Sequence, residues 1–183
     1  MITVRLTPNM TDYADNVGAL RRSRAFLNRF KNVNGLTGTF DHLLAIDRLG
    51  ARCEAAGKVY LNPIHWNACT DRFKGAPDLG RFVDVKGIGR RGLRMPVQKD
   101  DPDDFAFLLI SAERHPDCDI LGWLWGREAK DQRFWDDPHG GRPAYFVPEE
   151  WPGGKLREPE ELRALIHDAA QEEMTQFARE VLN

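Results

Sequence analysis

The sequence predicts an α/β protein, with one mixed central sheet flanked by helices. Helix-period apolar stripes stand near both ends of the chain. Short β-rich runs cluster between them, from about residue 82 to residue 147. No stretch approaches the ~20 apolar residues of a membrane span, so no membrane partner is expected. The 183 residues suit a single domain over 1–183, with an N-terminal strand and helix and a C-terminal helix packed on a core. A chain of this length buries roughly 70% of its unfolded surface and needs no disulfide or structural metal to fold.

Ile2, Val4 and Leu6 alternate with polar residues, which reads as a short strand stopped by Pro8. A helix follows from about Thr11 to Phe30, and Asn32 to Gly38 reads as a loop. Thr39 is a good N-cap for a second helix, Phe40 to about Leu61, which Pro63 would end. Leu43, Leu44, Ile46 and Leu49 are its apolar stripe. Gly50 lies inside it at a cost of about 1 kcal/mol against alanine, and is expected to mark close packing on another backbone. Asp47, Gly50 and Glu54 share one face by their i, i+3, i+7 spacing.

Phe82 to Lys86 alternates and is β-rich, so it reads as a strand. Leu93 to Gln98 is a weaker strand that Pro96 confines to an edge or a bulge. The continuous apolar run Phe105 to Ser111 suits a strand buried on both faces. Ile120 to Trp125 is a further strand, Gly126 to Arg133 a short helix and Ala144 to Val147 a last strand. Glu158 to Leu182 is a long helix with Leu162, Leu165, Ile166, Ala169, Phe177 and Val181 as its apolar side.

Net charge is −2, which argues against a passive nucleic-acid coat held by overall charge. It leaves a nucleic-acid enzyme open, because charge is segregated. Lys86, Arg90, Arg91, Arg94 and Lys99 carry a basic segment with no acid, and Asp100 to Asp104 reverses the sign as a charged turn. Cys53, Cys69 and Cys118 form no CxxC pair, so idle thiols in a reducing cytoplasm are expected. Met1 to Pro8 lacks the apolar core of a signal peptide. The histidines show no HExxH and no i, i+4 pair, and the serines no nucleophile elbow. Trp123, Trp125, Trp135 and Trp151 are read as core before base-stacking platforms.

The segment Pro77-Asp78 to Gly87 carries the chemistry. Asp84 and Lys86 sit two apart on a strand and therefore share a face, while Val83 and Val85 point the other way. An acid and a lysine on one strand face need a partner or a metal. Asp78 arrives just before the strand, and Glu54 projects from the preceding helix. Three carboxylates and a lysine in one cleft are a hydrolytic metal site in outline. Carboxylates are hard oxygen ligands suited to Mg²⁺, and a lysine can neutralise charge growing on a phosphate.

The pattern Pro77-Asp78, five residues, Asp84-x-Lys86 resembles the signature of the PD-(D/E)xK nuclease superfamily. Gly50-x-x-x-Glu54-x-Ala56 resembles its partner helix, and the runs Asp101 to Ile110 and Gly122 to Glu128 resemble small phage-borne members. The likeness covers about Phe40 to Val147. It implies a restriction-endonuclease-like αβββαβ core and Mg²⁺-dependent (or Mn²⁺-dependent) phosphodiester cleavage. The substrate would be DNA first and RNA second, in a bacterial or phage-infected cytoplasm. Asp78 and Asp84 would bind the metal directly, and Glu54 would be a ligand or hold a ligating water. The Val85 carbonyl would be a further contact, and Lys86 the catalytic lysine. A catalytically silent relative that binds DNA or a protein in phage replication or assembly is the alternative.

A chain of this length shows about one acid-x-Lys triplet by chance, and Glu128-Ala129-Lys130 is a second. Helix residues two apart do not face the same way, so Glu128 and Lys130 are read as a solvated helix face. Arg90, Arg91 and Arg94 are candidate phosphate contacts, which supply affinity rather than sequence reading. Arg21, Arg22, Arg24 and Arg29 would extend that surface, but are read first as a solvated helix face.

Overall fold

The computed structural model describes residues 2–27, 38–62, 66–68, 76–138, 140 and 143–181. Arg29, the loop residues 32–37, Pro63, His65, Cys69 and His139 lie outside them, as do the side chains of Phe177 and Val181. Among the described residues the chain runs β1 (Ile2–Arg5), α1 (Pro8–Leu27), α2 (Phe40–Leu61), β2 (Val83–Ile88) and β3 (Met95–Val97). Then follow β4 (Ala106–Arg114), β5 (Asp117–Trp125), α3 (Gly126–Ala129), a 3₁₀ turn (Gln132–Phe134) and β6 (Trp135–Asp136). It ends with β7 (Ala144–Val147), β8 (Glu150–Trp151), β9 (Gly154–Lys155) and α4 (Pro159–Val181). This is a mixed α/β architecture with a mixed sheet.

Helix α1 starts at Pro8, three residues before the expected start. Thr7 accepts the Met10 N–H at 3.3 Å, and a proline at the first helical position loses no bond the helix needs. Helix α2 begins where its cap predicts, because the Thr39 hydroxyl accepts the His42 N–H at 3.2 Å. It ends at Asn62, in the left-handed region at φ 48°, whose N–H donates to the Lys58 carbonyl.

The main sheet has strand order β1-β5-β4-β2. β2 pairs with β4 in parallel, and β5 pairs with both β4 and β1 antiparallel. β4 is interior, and its residues Ala106 to Ala112 are all buried, as an apolar run with no alternation requires. One face carries Val83, Leu108, Ile110, Ile120 and Trp123 against Ala51, Cys53, Ala56, Leu162 and Ile166 of α2 and α4. Of the expected α4 stripe, Leu165 is instead exposed. The other face carries Ile88, Phe107, Leu109 and Leu124 against Met95, Val97, Phe134 and Val147. The second sheet, β3-β7-β6, leaves β3 on an edge, where a strand containing Pro96 can stand without a donor.

A Cβ on Gly50 would meet nothing within 4 Å, although the Gly50 Cα lies 3.6 Å from where a Cβ on Gly87 of β2 would stand. The missing side chain at Gly50 is therefore not what lets α1 approach. The contact falls at Gly18, where a Cβ would lie 2.6 Å from the Arg48 Cα. Arg48 sits half a turn from Gly50 on α2, so the helices cross on its backbone rather than over the glycine.

Candidate active site

The five-residue spacing between Asp78 and Asp84 is what a tight hairpin needs. Leu79 and Val83 exchange two backbone bonds, at 2.9 and 3.2 Å. Residues 80–82 form the turn between them, with Gly80 at φ 57°, a conformation glycine adopts without steric cost. On its other side the segment is held by the Asn67 N–H, which donates to the Asp78 carbonyl at 2.8 Å. The chain folds back so that Asp78 lies beside β2. Its Oδ2 accepts the Val85 N–H at 2.8 Å.

That bond also orients Val85. In an extended strand the N–H and C=O of one residue project to the same side, so the Val85 carbonyl faces the Asp78 side, away from β4. Its side chain packs toward α2, near Gly57. By alternation, Asp84 and Lys86 take the opposite face, where the Lys86 Nζ stands 4.9 Å from the centre of the Phe107 ring. The site therefore wraps around β2, the edge strand of the four-stranded sheet. Glu54 comes from the α2 side, Asp78 from the edge, and Asp84 with Lys86 from the far face.

The Asp78 carboxyl lies close enough to Asp84 for charge and hydrogen bonding between the two acids to raise its pKa. The Asp78 carboxyl is held well above the usual carboxylate range. Burial is the main cause, followed by the charges of Glu54 and Asp84. Lys86 donates to Asp84 Oδ2 at 2.7 Å and to Asp101 Oδ2 at 3.2 Å. Burial works to lower the Lys86 pKa, but the two carboxylates outweigh it and hold it above its ordinary value.

Glu54 is only 5% exposed. Arg21 of α1 grips it with both terminal nitrogens, at 2.5 and 2.8 Å. The Trp66 indole donates to the same carboxylate at 3.2 Å. Arg22, one residue on, donates to Asp47 at 2.7 Å. These two arginines are thus turned inward onto α2 rather than forming the solvated face expected of them. A buried carboxylate needs a cation, and α1 supplies one for each acid.

The structure brings Asp78, Asp84, Val85 and Lys86 into direct contact, and Glu54 reaches them through its charge on Asp78. Among the described residues no group of three or more His, Cys, Asp or Glu side chains is set to hold a metal ion. Glu54 is engaged by Arg21 and Trp66, Asp84 Oδ2 by Lys86 and Asp78 Oδ2 by the Val85 N–H. Arg90, Arg91 and Arg94 are exposed past the C-terminal end of β2. Arg91 pairs with Glu149 at 3.0 Å and Arg94 with Asp136 at 2.6 Å.

The acidic run is the charged turn expected, lying between β3 and β4, and its Asp101 reaches in to Lys86. Glu128 and Lys130 are not a solvated helix face. Lys130 is 17% exposed and donates to the Asp101 carbonyl and, at 2.7 Å, to Asp103. Glu128 accepts the Trp125 N–H and pairs with Arg157. Helix α3 ends at Ala129, which leaves Lys130 free to turn toward the acidic run. Arg21, Trp66, Asp101 and Lys130 were not assigned to the site by sequence. The one signal for Arg21 was a glutamate inside the small-residue run Cys53 to Gly57, which demands a cation without saying which.

No helix among the described residues is long and apolar enough to cross a membrane. No protein-family model, no curated protein and no solved structure matches this chain.

Proposed function

We propose that the chain is a metal-dependent nuclease of the PD-(D/E)xK type, with a restriction-endonuclease-like core, that hydrolyses phosphodiester bonds in DNA. The observation that carries this reading is the Leu79–Val83 hairpin, which lays the Asp78 carboxylate on the Val85 N–H and against Asp84, beside Lys86. Asp78, Asp84 and the Val85 carbonyl would hold Mg²⁺ or Mn²⁺, and their hard oxygens suit either ion. Bound there, the ion supplies Lewis-acid polarisation of the phosphate and a lowered pKa for its water. Glu54, already saturated by Arg21 and Trp66, acts through a water rather than as a direct ligand. Lys86 remains an ammonium, so it donates to a phosphate oxygen or orients the attacking water instead of removing a proton. The exposed pairs of Arg91 and Arg94 are worth at most about 1 kcal/mol, so a phosphate can displace them. With Arg90 they would bind the backbone.

One observation favours a second reading. Every carboxylate oxygen pair in the site already has a cationic or acidic partner, as a catalytically silent DNA-binding or protein-interaction module would keep it. Purified protein incubated with single-stranded DNA, duplex DNA and RNA decides between the two readings. Under the nuclease reading it cuts DNA only with Mg²⁺ or Mn²⁺, and Lys86→Ala stops cutting while retaining the fold. RNA cut in preference to DNA would change the substrate. Equal cutting by Lys86→Ala, or no carboxylate-dependent Mg²⁺ uptake by calorimetry, rejects the nuclease.

A further inference from the structure

Lys86 is shared by two acids from different elements. Asp84 Oδ2 lies 2.7 Å from its Nζ and Asp101 Oδ2 lies 3.2 Å away. The two acids are not equivalent. Asp84 sits on the β2 edge against Asp78, where a divalent cation would go. Asp101 sits on the turn between β3 and β4, and its Oδ2 also accepts the Gln98 N–H at 2.9 Å. One oxygen of Asp101 thus ties the Lys86 ammonium to the backbone of this turn.

The turn that carries Asp101 is itself built. The Asp101 N–H donates to the Gln98 carbonyl at 3.2 Å. The Asp101 carbonyl accepts the Lys130 ammonium, which also bonds Asp103. Lys130 thus braces the turn from just past the end of α3, which gives the second acid-x-Lys triplet a role the nuclease motif does not.

A cation on Asp84 would withdraw that carboxylate from Lys86 and repel the ammonium. Lys86 would then have no anionic partner at Asp84 to keep it beside the phosphate. Resting on the nuclease reading, we propose that Asp101 is a positioning residue that retains the Lys86 ammonium in the cleft once a divalent cation has taken Asp84. Phe107 supports it from below through its ring face. Lys130 is the brace of Asp101 and has no direct part in the reaction.

The test uses the full chain labelled with ¹⁵N at the lysine side chains. The Lys86 ammonium resonance is assigned with Lys86→Arg and followed during Mg²⁺ titration. In the wild type the resonance stays protected from water exchange after Mg²⁺ is added. In Asp101→Asn, which keeps an acceptor for the Gln98 N–H, it is protected without Mg²⁺ and lost with it. Asp101→Glu restores protection. In cleavage assays Asp101→Asn lowers kcat by roughly ten- to a hundred-fold and leaves KM and the Mg²⁺ requirement unchanged. A protected Lys86 signal in Mg²⁺-loaded Asp101→Asn, or wild-type kcat in that variant, overturns the inference and leaves the nuclease standing. A wild type that neither takes up Mg²⁺ nor cuts overturns the nuclease reading, and the role of Asp101 with it.

Discussion

Replacing Arg21 by methionine tests how the site is held together. The side chain keeps an unbranched apolar stem, and loses the guanidinium. Glu54 then loses bonds of 2.5 and 2.8 Å and keeps only the Trp66 indole at 3.2 Å. Its side chain is 7% exposed and that of Arg21 is 22% exposed, so solvent cannot replace the lost charge. Removing one partner of a buried ion pair costs about 3–5 kcal/mol. For a chain of this length each kcal/mol lowers Tm by roughly 2–4 °C. Arg21→Met should therefore melt about 6–20 °C below the wild type in scanning calorimetry. Glu54→Gln in the same background removes the orphaned charge, so the double variant should be more stable than Arg21→Met alone. That sign is the signature of a desolvated pair, because two neutral groups of similar shape cost less than one stranded ion. A loss under about 1 kcal/mol, the worth of an exposed pair, would refute the reasoning. So would a double variant no better than the single one.

Other outcomes follow from the same geometry. Asp78 has a raised pKa in the folded state, so the stability its neutral form contributes is fully present below the ordinary value of about 3.9. That stability is lost as pH rises through the raised value. In EDTA, Asp78→Asn should match the wild type in Tm near pH 4 and exceed it at pH 8, and a difference that does not grow with pH would contradict this. Gly18→Ala places a methyl 2.6 Å from the Arg48 Cα. Helices α1 and α2 must part, and urea unfolding should show a net loss of about 1–3 kcal/mol despite alanine's better helix propensity. Leu108→Ala, at a fully buried position in β4, should cost about 2–5 kcal/mol in the same assay.

The site was partly legible because its motif is local. Asp84 and Lys86 lie on one strand, so a period of two places them on the same face in any fold that makes the strand. Asp78 was legible as an acid separated from Asp84 by five residues, and the hairpin explains the spacing. Arg21 and Asp101 were not legible. They stand 33 and 15 residues from the groups they hold, and no local pattern joins an arginine on one helix to a glutamate on the next. Gly50 did not locate the crossing of α1 and α2 for a related reason. A glycine permits close approach, but the crossing point is set by how two whole helices pack, and that fell on Gly18.

By itself the amino-acid order determined the elements: the Thr39 cap, the unbroken apolar run of β4, the edge character of Pro96 and the shared face of Asp84 and Lys86. Each follows from backbone geometry and side-chain period over a few residues. Only the tertiary structure decided which charges neutralise which. Burial makes an unpaired carboxylate costly wherever it lies, yet the cation that answers it can come from any part of the chain that packing brings near.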